Sequence, residues 1–287
     1  MSLNIYNLYN KPKFNNPIYI IGSFESFHLG HNSLFEKAKE INKNLNRDII
    51  LVFFKDPENI NKNHKNFIFT DFFYRIQSFA NLGFLNAIYL EFSKLKELKP
   101  DEFLRLLIND DNKQKVSIIV GEDFKFGFQG SGNKDLLIKT YGKENIYILE
   151  SLRIGNNIKI STSFIKECVE LGDIELVNSL NLFKFGFTCD IENDENINIY
   201  FDEKIIQARP GLYIVYVEIN SITYYAILKI DYKYKHFLTF IDFKFSGNSI
   251  KNARIIFLKS LRFFKDLVDL EITEKDLEKA KKEFLLF

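Results

Sequence analysis

Short apolar segments alternate with segments of helical periodicity between residues 18 and 150, and this alternation most constrains the fold. The apolar segments lie at 18–21, 49–54, 87–90, 116–120 and 146–149. Strands that alternate with helices predict βαβ units and a parallel sheet. Because these strands are almost continuously apolar, we expect helices to cover both faces of the sheet.

Helices are predicted where apolar residues recur every three or four positions. After the first strand, one such set forms a helix face and consists of Leu34, Ala38, Ile41 and Leu45. Further helices are predicted at 71–82, 100–109, 162–171 and 173–181. Between the last two, Gly172 suits a left-handed helix end and Asp173 suits a helix N-cap.

The sequence pattern changes after residue 181. Strand-like segments follow one another with short turns at 183–191, 211–219, 222–230, 236–243 and 253–258. This spacing predicts antiparallel strands in a small barrel. A charged helix follows them, with Thr273 as its N-cap. We therefore expect an α/β, Rossmann-like domain at 1–181 and an antiparallel β-barrel domain, closed by a helix, at 182–287.

Composition excludes several classes of partner. The chain has 39 Lys and Arg against 38 Asp and Glu, a net charge of +1, so no bulk attraction to nucleic acid or to an acidic membrane is expected. Its two cysteines, Cys168 and Cys189, are too few for a disulfide framework. The sequence shows neither a targeting segment nor an apolar run of about 20 residues. We expect a cytoplasmic protein with small-molecule partners, and the oligomeric state stays open.

The strongest motif is HLGH, which runs from His28 to His31 after the first strand. Gly22 ends that strand, and a helix begins near the motif. A loop between a first strand and a helix N-terminus is where α/β folds bind phosphate. Gly30 permits close approach of backbone and ligand. Two imidazoles three residues apart can donate hydrogen bonds and carry charge near neutral pH.

Two other interpretations of His28 and His31 exist, namely surface histidines at a helix start and a zinc pair. For zinc, the sequence has no third ligand nearby, and the spacing differs from that of HExxH metalloproteases. The succession of strand, glycine, loop and helix favours phosphate.

Three strings resemble those of one enzyme family. GSFESFHLGH at 22–31 is similar to a GxFDGxHxGH motif. VGEDFKFG at 120–127 is similar to VGEDFRFG, and ISTSFIK at 160–166 is similar to ISSTxIR. Together they resemble the HxGH nucleotidyltransferase superfamily and, within it, the adenylyltransferase module of the prokaryotic bifunctional riboflavin kinase/FAD synthetase family. The resemblance covers about residues 18–181.

The resemblance implies synthesis of FAD, in which the AMP moiety of ATP is transferred to FMN and pyrophosphate leaves, with Mg²⁺ required. It implies catalytic roles at the phosphates for His28, His31 and Lys166, where Lys166 replaces the family's Arg and keeps its charge but not its planar fork. No metal ligand is assigned. The ATP contacts that it implies are Gly22, Ser23, Phe24, His28, Gly30, His31, Ser161, Thr162 and Ser163.

On the FMN side, the resemblance implies contacts from Asp56, Asp123, Phe124 and Phe126. Asp123 would orient FMN or the metal, and a turn aspartate is the alternative. The two phenylalanines would stack on flavin or adenine, and core positions are the alternative. The chain also departs from the family, because Glu25 and Ser26 replace Asp and Gly, and Asp56 stands where a TFxPHP string has its His.

The second half resembles the family's riboflavin kinase barrel in outline. PGLYIVYV at 210–217 and NARIIFLKSLRFFKDL at 252–267 are similar to segments of that domain. The kinase needs a glycine-rich loop ending in PTAN, whereas 191–204 has no glycine. The acidic base of the kinase's ExHxxDF strand is not evident in HFLTFIDF at 236–243. These departures predict a barrel that has lost kinase activity.

Three alternatives to a monofunctional FMN adenylyltransferase stay open. The first is a bifunctional enzyme with a diverged kinase loop. The second is another HxGH transferase, acting on phosphopantetheine or glycerol phosphate. The third is a flavin-binding sensor without catalysis, against which the intact HLGH and ISTSFIK strings count.

Overall fold

The computed structural model describes residues 2–60, 67–108, 116–194, 196–241 and 243–285. They form two compact units. The first contains Met1–Asn66 and Arg75–Ser161, and the second contains Phe67–Tyr74 and Thr162–Phe287. This division differs from the predicted one at residue 181. As a boundary between functional domains, residue 181 stays a prediction.

The first unit is built on a six-stranded parallel sheet. Its strands are β1 (Asn4–Asn7), β2 (Ile18–Ile21), β3 (Ile49–Phe54), β4 (Asn86–Leu90), β5 (Ser117–Gly121) and β6 (Ile146–Leu149). Every neighbouring pair runs parallel, which confirms the predicted α/β class. Strand β1 was not predicted, because its sequence NIYN is short and half polar.

Helices cover both faces of this sheet, as predicted. They are α1 (Leu29–Asn42), α2 (Phe72–Asn81), α3 (Phe92–Leu95), α4 (Pro100–Leu107) and α5 (Lys134–Tyr141). On one face, Phe103 of α4 and Leu137 of α5 share a core with Val52 and Val120 of the sheet. On the other face, Phe79 of α2 packs against Phe53 of β3.

Two predicted helix ends differ from the structure. Helix α1 ends at Asn42, so Leu45, which we expected on its buried face, lies beyond the helix and is 56% exposed. Helix α4 ends at Leu107, and residue 109 of the predicted helix lies outside the described residues. Within the described part of the chain, no helix is both long enough and apolar enough to cross a bilayer.

The order of the strands creates a crevice at the centre of the sheet. The order is β1-β4-β3-β2-β5-β6, so the chain runs outward on one side from β2 through β3 to β4 and then returns to place β5 on the other side of β2. Such a reversal is where open α/β sheets bind ligands, beyond the carboxyl ends of the strands. HLGH follows β2 and VGEDF spans the end of β5, so both strings lie at this edge.

A short hairpin follows the sheet. It consists of β7 (Arg153–Ile154) and β8 (Ile158–Lys159), which pair antiparallel. Sequence reasoning missed it because each strand has only two residues. It ends directly before the ISTSFIK string.

The second unit contains a closed barrel, as predicted. Its strands are β9 (Gly186–Asn193), β10 (Ile197–Tyr200), β11 (Gly211–Ile219), β12 (Ile222–Ile230), β13 (His236–Phe240) and β14 (Ser249–Phe263), in the order β10-β13-β12-β11-β14-β9. Residue 242 of the predicted strand 236–243 lies outside the described residues. The last strand extends well beyond the predicted 253–258, and β10 was missed.

In the described part of the second unit, the helices that follow the first unit or the barrel are α6 (Thr162–Leu171), α7 (Ile174–Leu180) and α8 (Glu274–Phe284). Three predicted helix signals are confirmed, two between α6 and α7 and one before α8. Gly172 has φ +79°, and the Asp173 side chain accepts a hydrogen bond from Leu176 N–H. The Thr273 hydroxyl caps α8 by accepting from Asp276 N–H, and the Asp276 carboxylate accepts from Thr273 N–H in return.

Candidate active site

The loop between β2 and α1 has a strained backbone, and a buried side chain of the loop anchors it. Phe24 has φ +44°, which is rare for a residue with a side chain, and its ring is completely buried. A Cβ on Gly22 would lie 2.9 Å from that ring, so only glycine fits there. Non-glycine residues with positive φ often occur at functional sites, where surrounding contacts hold them.

His28 is the N-cap of α1. Its Nδ1 accepts a hydrogen bond from the His31 N–H at 3.3 Å. The neutral ring therefore carries its hydrogen on Nε2, which is left as a donor. His28 remains 8% exposed.

His31 has the opposite tautomer. Its Nδ1 lies 3.0 Å from the Ser26 carbonyl oxygen. Because a carbonyl can only accept, Nδ1 must carry the hydrogen, and Nε2 of the neutral ring is an acceptor. The two imidazoles are stacked, with centroids 3.7 Å apart and planes 17° apart. The edge of the Phe24 ring supports His31 at 4.8 Å.

Both histidines are neutral in the unliganded chain at pH 7. Burial, and then the charge of Lys159, lower the pKa of His28 to about 4. Burial, and then the neighbouring His28, hold the pKa of His31 well below its ordinary value, against the smaller opposing effect of Ser26. The expected charge near neutral pH therefore needs a ligand that stabilises the imidazolium form.

Gly30 is needed by His28 itself. A Cβ at this position would lie 3.1 Å from both Cε1 and Nδ1 of the His28 ring. That ring cannot move away freely, since it is stacked on His31. The motif therefore requires glycine to hold the histidine in place, in addition to any close approach of a ligand.

The end of β5 brings a second loop to the same edge. Glu122 accepts a hydrogen bond from Ser151 N–H at 3.0 Å, which ties this loop to the segment after β6. Asp123 forms an ion pair with Lys159 at the end of β8. Sequence reasoning missed Lys159, and the signal for it was a basic residue directly before ISTSFIK.

The predicted FMN contacts lie in three different surroundings. Asp56 follows β3, and its two oxygens accept from Phe92 N–H at 2.8 Å and from the Asn59 amide at 3.0 Å. Phe126 is 6% exposed and belongs to the core, and Phe124 stacks on it with centroids 5.5 Å apart. Contact of these three residues with flavin stays a prediction, as does that of Asp123.

Buried Arg75 was also missed by sequence reasoning. Its guanidinium donates to the carbonyl oxygens of Phe54 at 2.7 Å and of Lys55 at 2.8 Å. Phe54 is the last residue of β3, and Lys55 directly precedes Asp56. Arg75 therefore fixes the backbone from which the predicted FMN contact projects.

The ISTSFIK string divides between the compact units. Ser161 ends the first unit, whereas Thr162, Ser163 and Lys166 begin α6 in the second. Lys166 is buried, with 4% exposed, and its ammonium group donates to the Phe67 carbonyl oxygen at 2.6 Å. Their predicted contacts with the triphosphate stay predictions.

Substitution of Gly30 by alanine is expected to disturb His28 and destabilise the first unit by about 1–3 kcal/mol, the usual cost of overpacking. Chemical denaturation measures this change in the free energy of unfolding. Gly121→Ala is the matched control, because nothing lies within 4 Å of the added Cβ. Equal effects of the two substitutions would contradict the proposed packing.

Acid is expected to destabilise the chain through His28. Its folded-state pKa, about 4, lies below the ordinary 6.5, so the unfolded chain binds the proton more readily. Above about pH 6.5 the ring is neutral in both states, so titration costs no stability there. As the pH falls towards 4, the unfolded chain takes up the proton first and the free energy of unfolding falls by about 2–3 kcal/mol.

The measurement compares the unfolding free energy of the wild type and of His28→Asn between pH 4 and 7.5. Asparagine keeps an N-cap acceptor and removes the titrating group. The wild type should lose more stability than the variant over this range. Parallel curves would show that His28 is not held neutral by the fold.

A model of the FAD synthetase family matches residues 11–164, which is more than half of the chain. The matched range includes HLGH after β2, VGEDF at the end of β5, and Lys159. The match therefore covers both loops at the switch point of the sheet.

Curated relatives give a consistent result. The bifunctional riboflavin kinase/FMN adenylyltransferase of Buchnera aphidicola subsp. Acyrthosiphon pisum is 30% identical over 182 residues, which are 61% of this chain and 58% of that protein. The protein of the same name from Bacillus subtilis is 27% identical over 230 residues, which are 74% of this chain and 71% of that protein. The match to the Buchnera relative thus spans less than two thirds of that relative's length.

A solved structure, titled a macrolide-efflux protein from Streptococcus pneumoniae, has the same fold with a TM-score of 0.76. It covers 100% of this chain and 98% of its own, at 18% identity. At that identity the likeness concerns the fold alone. Family membership rests on the sequence match, and on that ground the chain belongs to the FAD synthetase family.

Proposed function

We propose that this chain is an FMN adenylyltransferase, which transfers the AMP moiety of ATP to FMN and releases pyrophosphate. The observation that carries the proposal is the stacked pair of His28 and His31 at the N-terminus of α1, beside the switch point of the sheet. The pair lies inside the range that matches the FAD synthetase family. Two curated relatives are named for this activity, together with riboflavin kinase.

The start of α1 binds the phosphates of ATP. Leu29 and Gly30 lie in the first turn, where the N–H groups of a helix have no intrahelical partner. The helix dipole favours an anion at this end. His28 adds the Nε2–H of its neutral ring as a directed donor.

His31 contributes differently, because its tautomer leaves an acceptor at Nε2. It donates to a phosphate only after it takes up a proton. The negative charge of a bound triphosphate stabilises the imidazolium and raises its pKa, so phosphate binding and protonation of His31 occur together. The Ser26 carbonyl keeps its hydrogen bond in both states, since Nδ1 carries a hydrogen in each.

The reaction requires alignment of two anions rather than bonding to the protein. An oxygen of the FMN phosphate attacks the α-phosphorus of ATP, and the bond from that phosphorus to the bridging β-oxygen breaks. Pyrophosphate leaves with the bonding electron pair, and no proton transfer is needed in this step. Alignment supplies about 7–11 kcal/mol of the barrier, and one donor to the developing charge supplies about 3–4 kcal/mol.

Mg²⁺ fits this site as an ion held mainly by the substrates. Among the described residues, no group of three or more His, Cys, Asp and Glu side chains is arranged to hold a metal. Mg²⁺ in nucleotide sites is commonly bound by one or two carboxylates and by phosphates. Asp123, an exposed carboxylate at the end of β5, is the residue that would hold it. When bound, the ion neutralises phosphate charge.

The other assignments come from the family resemblance. They place Gly22, Ser23 and Phe24 against the nucleotide, and Ser161, Thr162, Ser163 and Lys166 at the β- and γ-phosphates and the leaving pyrophosphate. Asp56, Phe124 and Phe126 are assigned to FMN. We also place the enzyme in the cytoplasm, and the free thiols of Cys168 and Cys189 support a reducing compartment.

The test is pyrophosphate release from ATP with and without FMN. We expect release only with FMN, with FAD formed in equal amount. His28→Asn should lower the rate at least tenfold while the unfolding free energy at pH 7.5 changes little, because the cap is kept and the Nε2–H donor is lost. FMN-independent release, or an unchanged rate in the variant, would contradict the proposal.

We further propose that the barrel has no riboflavin kinase activity. Strands β9 and β10 pair as a hairpin, from Asn193 with Ile197 to Asp190 with Tyr200. This hairpin occupies the part of the sequence in which the family's glycine-rich loop is expected. Strand β13, HFLTF, carries no carboxylate to act as the kinase base.

Incubation of the chain with riboflavin, ATP and Mg²⁺ is therefore expected to yield no FMN. The physical reason is that, in the described residues, a β-hairpin stands where the glycine-rich loop is expected and β13 carries no carboxylate. In a parallel sample, FMN and ATP must yield FAD, which shows that the protein is active. FMN formed from riboflavin would establish a bifunctional enzyme with a diverged kinase site instead.

A further inference from the structure

Lys159 lies close enough to His28 to act on its charge state and belongs to none of the motifs above. It is the last residue of β8, and its ammonium group pairs with the Asp123 carboxylate at the end of β5. Burial is the larger cause of the lowered pKa of His28, and the charge of Lys159 lowers that pKa further. The Lys159 side chain is 39% exposed, so it remains accessible to a ligand.

The hairpin that carries Lys159 is held close to HLGH. Leu152, at the base of the hairpin, lies 4.0 Å from the position of a Cβ on Gly30. The Leu152 carbonyl accepts a hydrogen bond from Ile160 N–H at 2.9 Å, directly after Lys159. The Arg153 guanidinium donates to the Asn157 carbonyl at 3.0 Å and closes the turn. These bonds fix the backbone on both sides of the lysine.

A phosphate site here needs a cation that the two histidines do not provide. ATP carries several negative charges, whereas His28 and His31 are both neutral before it binds. Lys166, the basic residue to which the family resemblance gives this role, is buried, and its ammonium group donates to a backbone carbonyl. Lys159 is partly exposed, and its partner is a carboxylate that phosphate can replace.

The ion pair of Lys159 with Asp123 contributes little to the fold. Asp123 is 70% exposed, and exposed pairs of this kind are weak because water and salt screen them. Lysine binds phosphate as a compact point charge with rotatable donors. The pair is thus well suited to exchange one anion for another.

We propose that Lys159 binds a phosphate group of ATP, and that Asp123 holds it beside His28 until that phosphate arrives. The identity of the ligand as ATP rests on the proposed function. When Lys159 moves to the phosphate, the Asp123 carboxylate is released at the carboxyl end of β5. The Lys159 ammonium group is thus paired with Asp123 in the free site and with phosphate in the occupied site.

The test is calorimetric binding of two probes, ATP and inorganic pyrophosphate, without FMN and without Mg²⁺. Lys159→Ala should weaken binding of both at least tenfold, and Lys159→Arg should restore most of it because the charge remains. Asp123→Asn should tighten binding at least threefold, because the carboxylate no longer competes for the ammonium group. In the Lys159→Ala background this gain should be smaller.

Lys39→Ala is the matched control. Lys39 is also an exposed lysine in a carboxylate pair, with Glu36 at 2.9 Å, but it lies eight residues along α1 from His31, about 12 Å by helical rise. It should leave binding unchanged. An equal effect of Lys39→Ala and Lys159→Ala on probe binding would overturn the inference. So would weaker binding of the probes to Asp123→Asn than to the wild type.

The outcomes separate this inference from the proposed function. If the wild type forms FAD and Lys159→Ala binds both probes as tightly as the wild type, the inference fails and the function stands. If Lys159 controls binding of both probes but the wild type forms no FAD, the anion site stands and the adenylyltransferase proposal fails.

Discussion

The hydrogen bond that His31 Nδ1–H donates to the Ser26 carbonyl, together with the stacking of His28 on His31, is the constraint on which the rest of the site depends. The bond to Ser26, and the one that His28 Nδ1 accepts from His31 N–H, give the two rings opposite tautomers, and burial keeps both rings neutral. One ring therefore offers a donor to a phosphate at once, and the other does so only after protonation. The buried Phe24 ring supports His31 by edge contact. Gly30 leaves room for the His28 ring, because a side chain at this position would push against it.

The strand order gives that pair its partners. The loops that carry HLGH and Asp123 leave the same edge of the sheet because its strands are parallel, and they are neighbours because β5 lies beside β2. The hairpin after β6 then adds Lys159 to this edge, bound to Asp123. Residues from three separate parts of the sequence thus meet through topology. At a topological switch point the loops after the two central strands run in opposite directions, and the crevice between them leaves room for a ligand.

Much of the fold could be predicted from the sequence, since five strands of the parallel sheet and the barrel follow from apolar periodicity. The missed elements, β1 and the β7–β8 hairpin, are too short or too polar for periodicity to reveal. The HLGH motif was visible, but the tautomers were not, because they depend on which atoms the folded loop places beside each ring. Lys159 and Arg75 were missed for a similar reason: their partners, Asp123 and the end of β3, are distant in sequence.

The central claim is that this edge of the sheet aligns the phosphate of FMN with the α-phosphorus of ATP for direct attack. The most direct measurement uses FMN whose three non-ester phosphate oxygens are ¹⁸O, with unlabelled ATP, and mass spectrometry of both products. Direct attack predicts FAD that retains all three labelled oxygens and pyrophosphate that contains none. Label in the pyrophosphate, or its loss from FAD, would contradict the account.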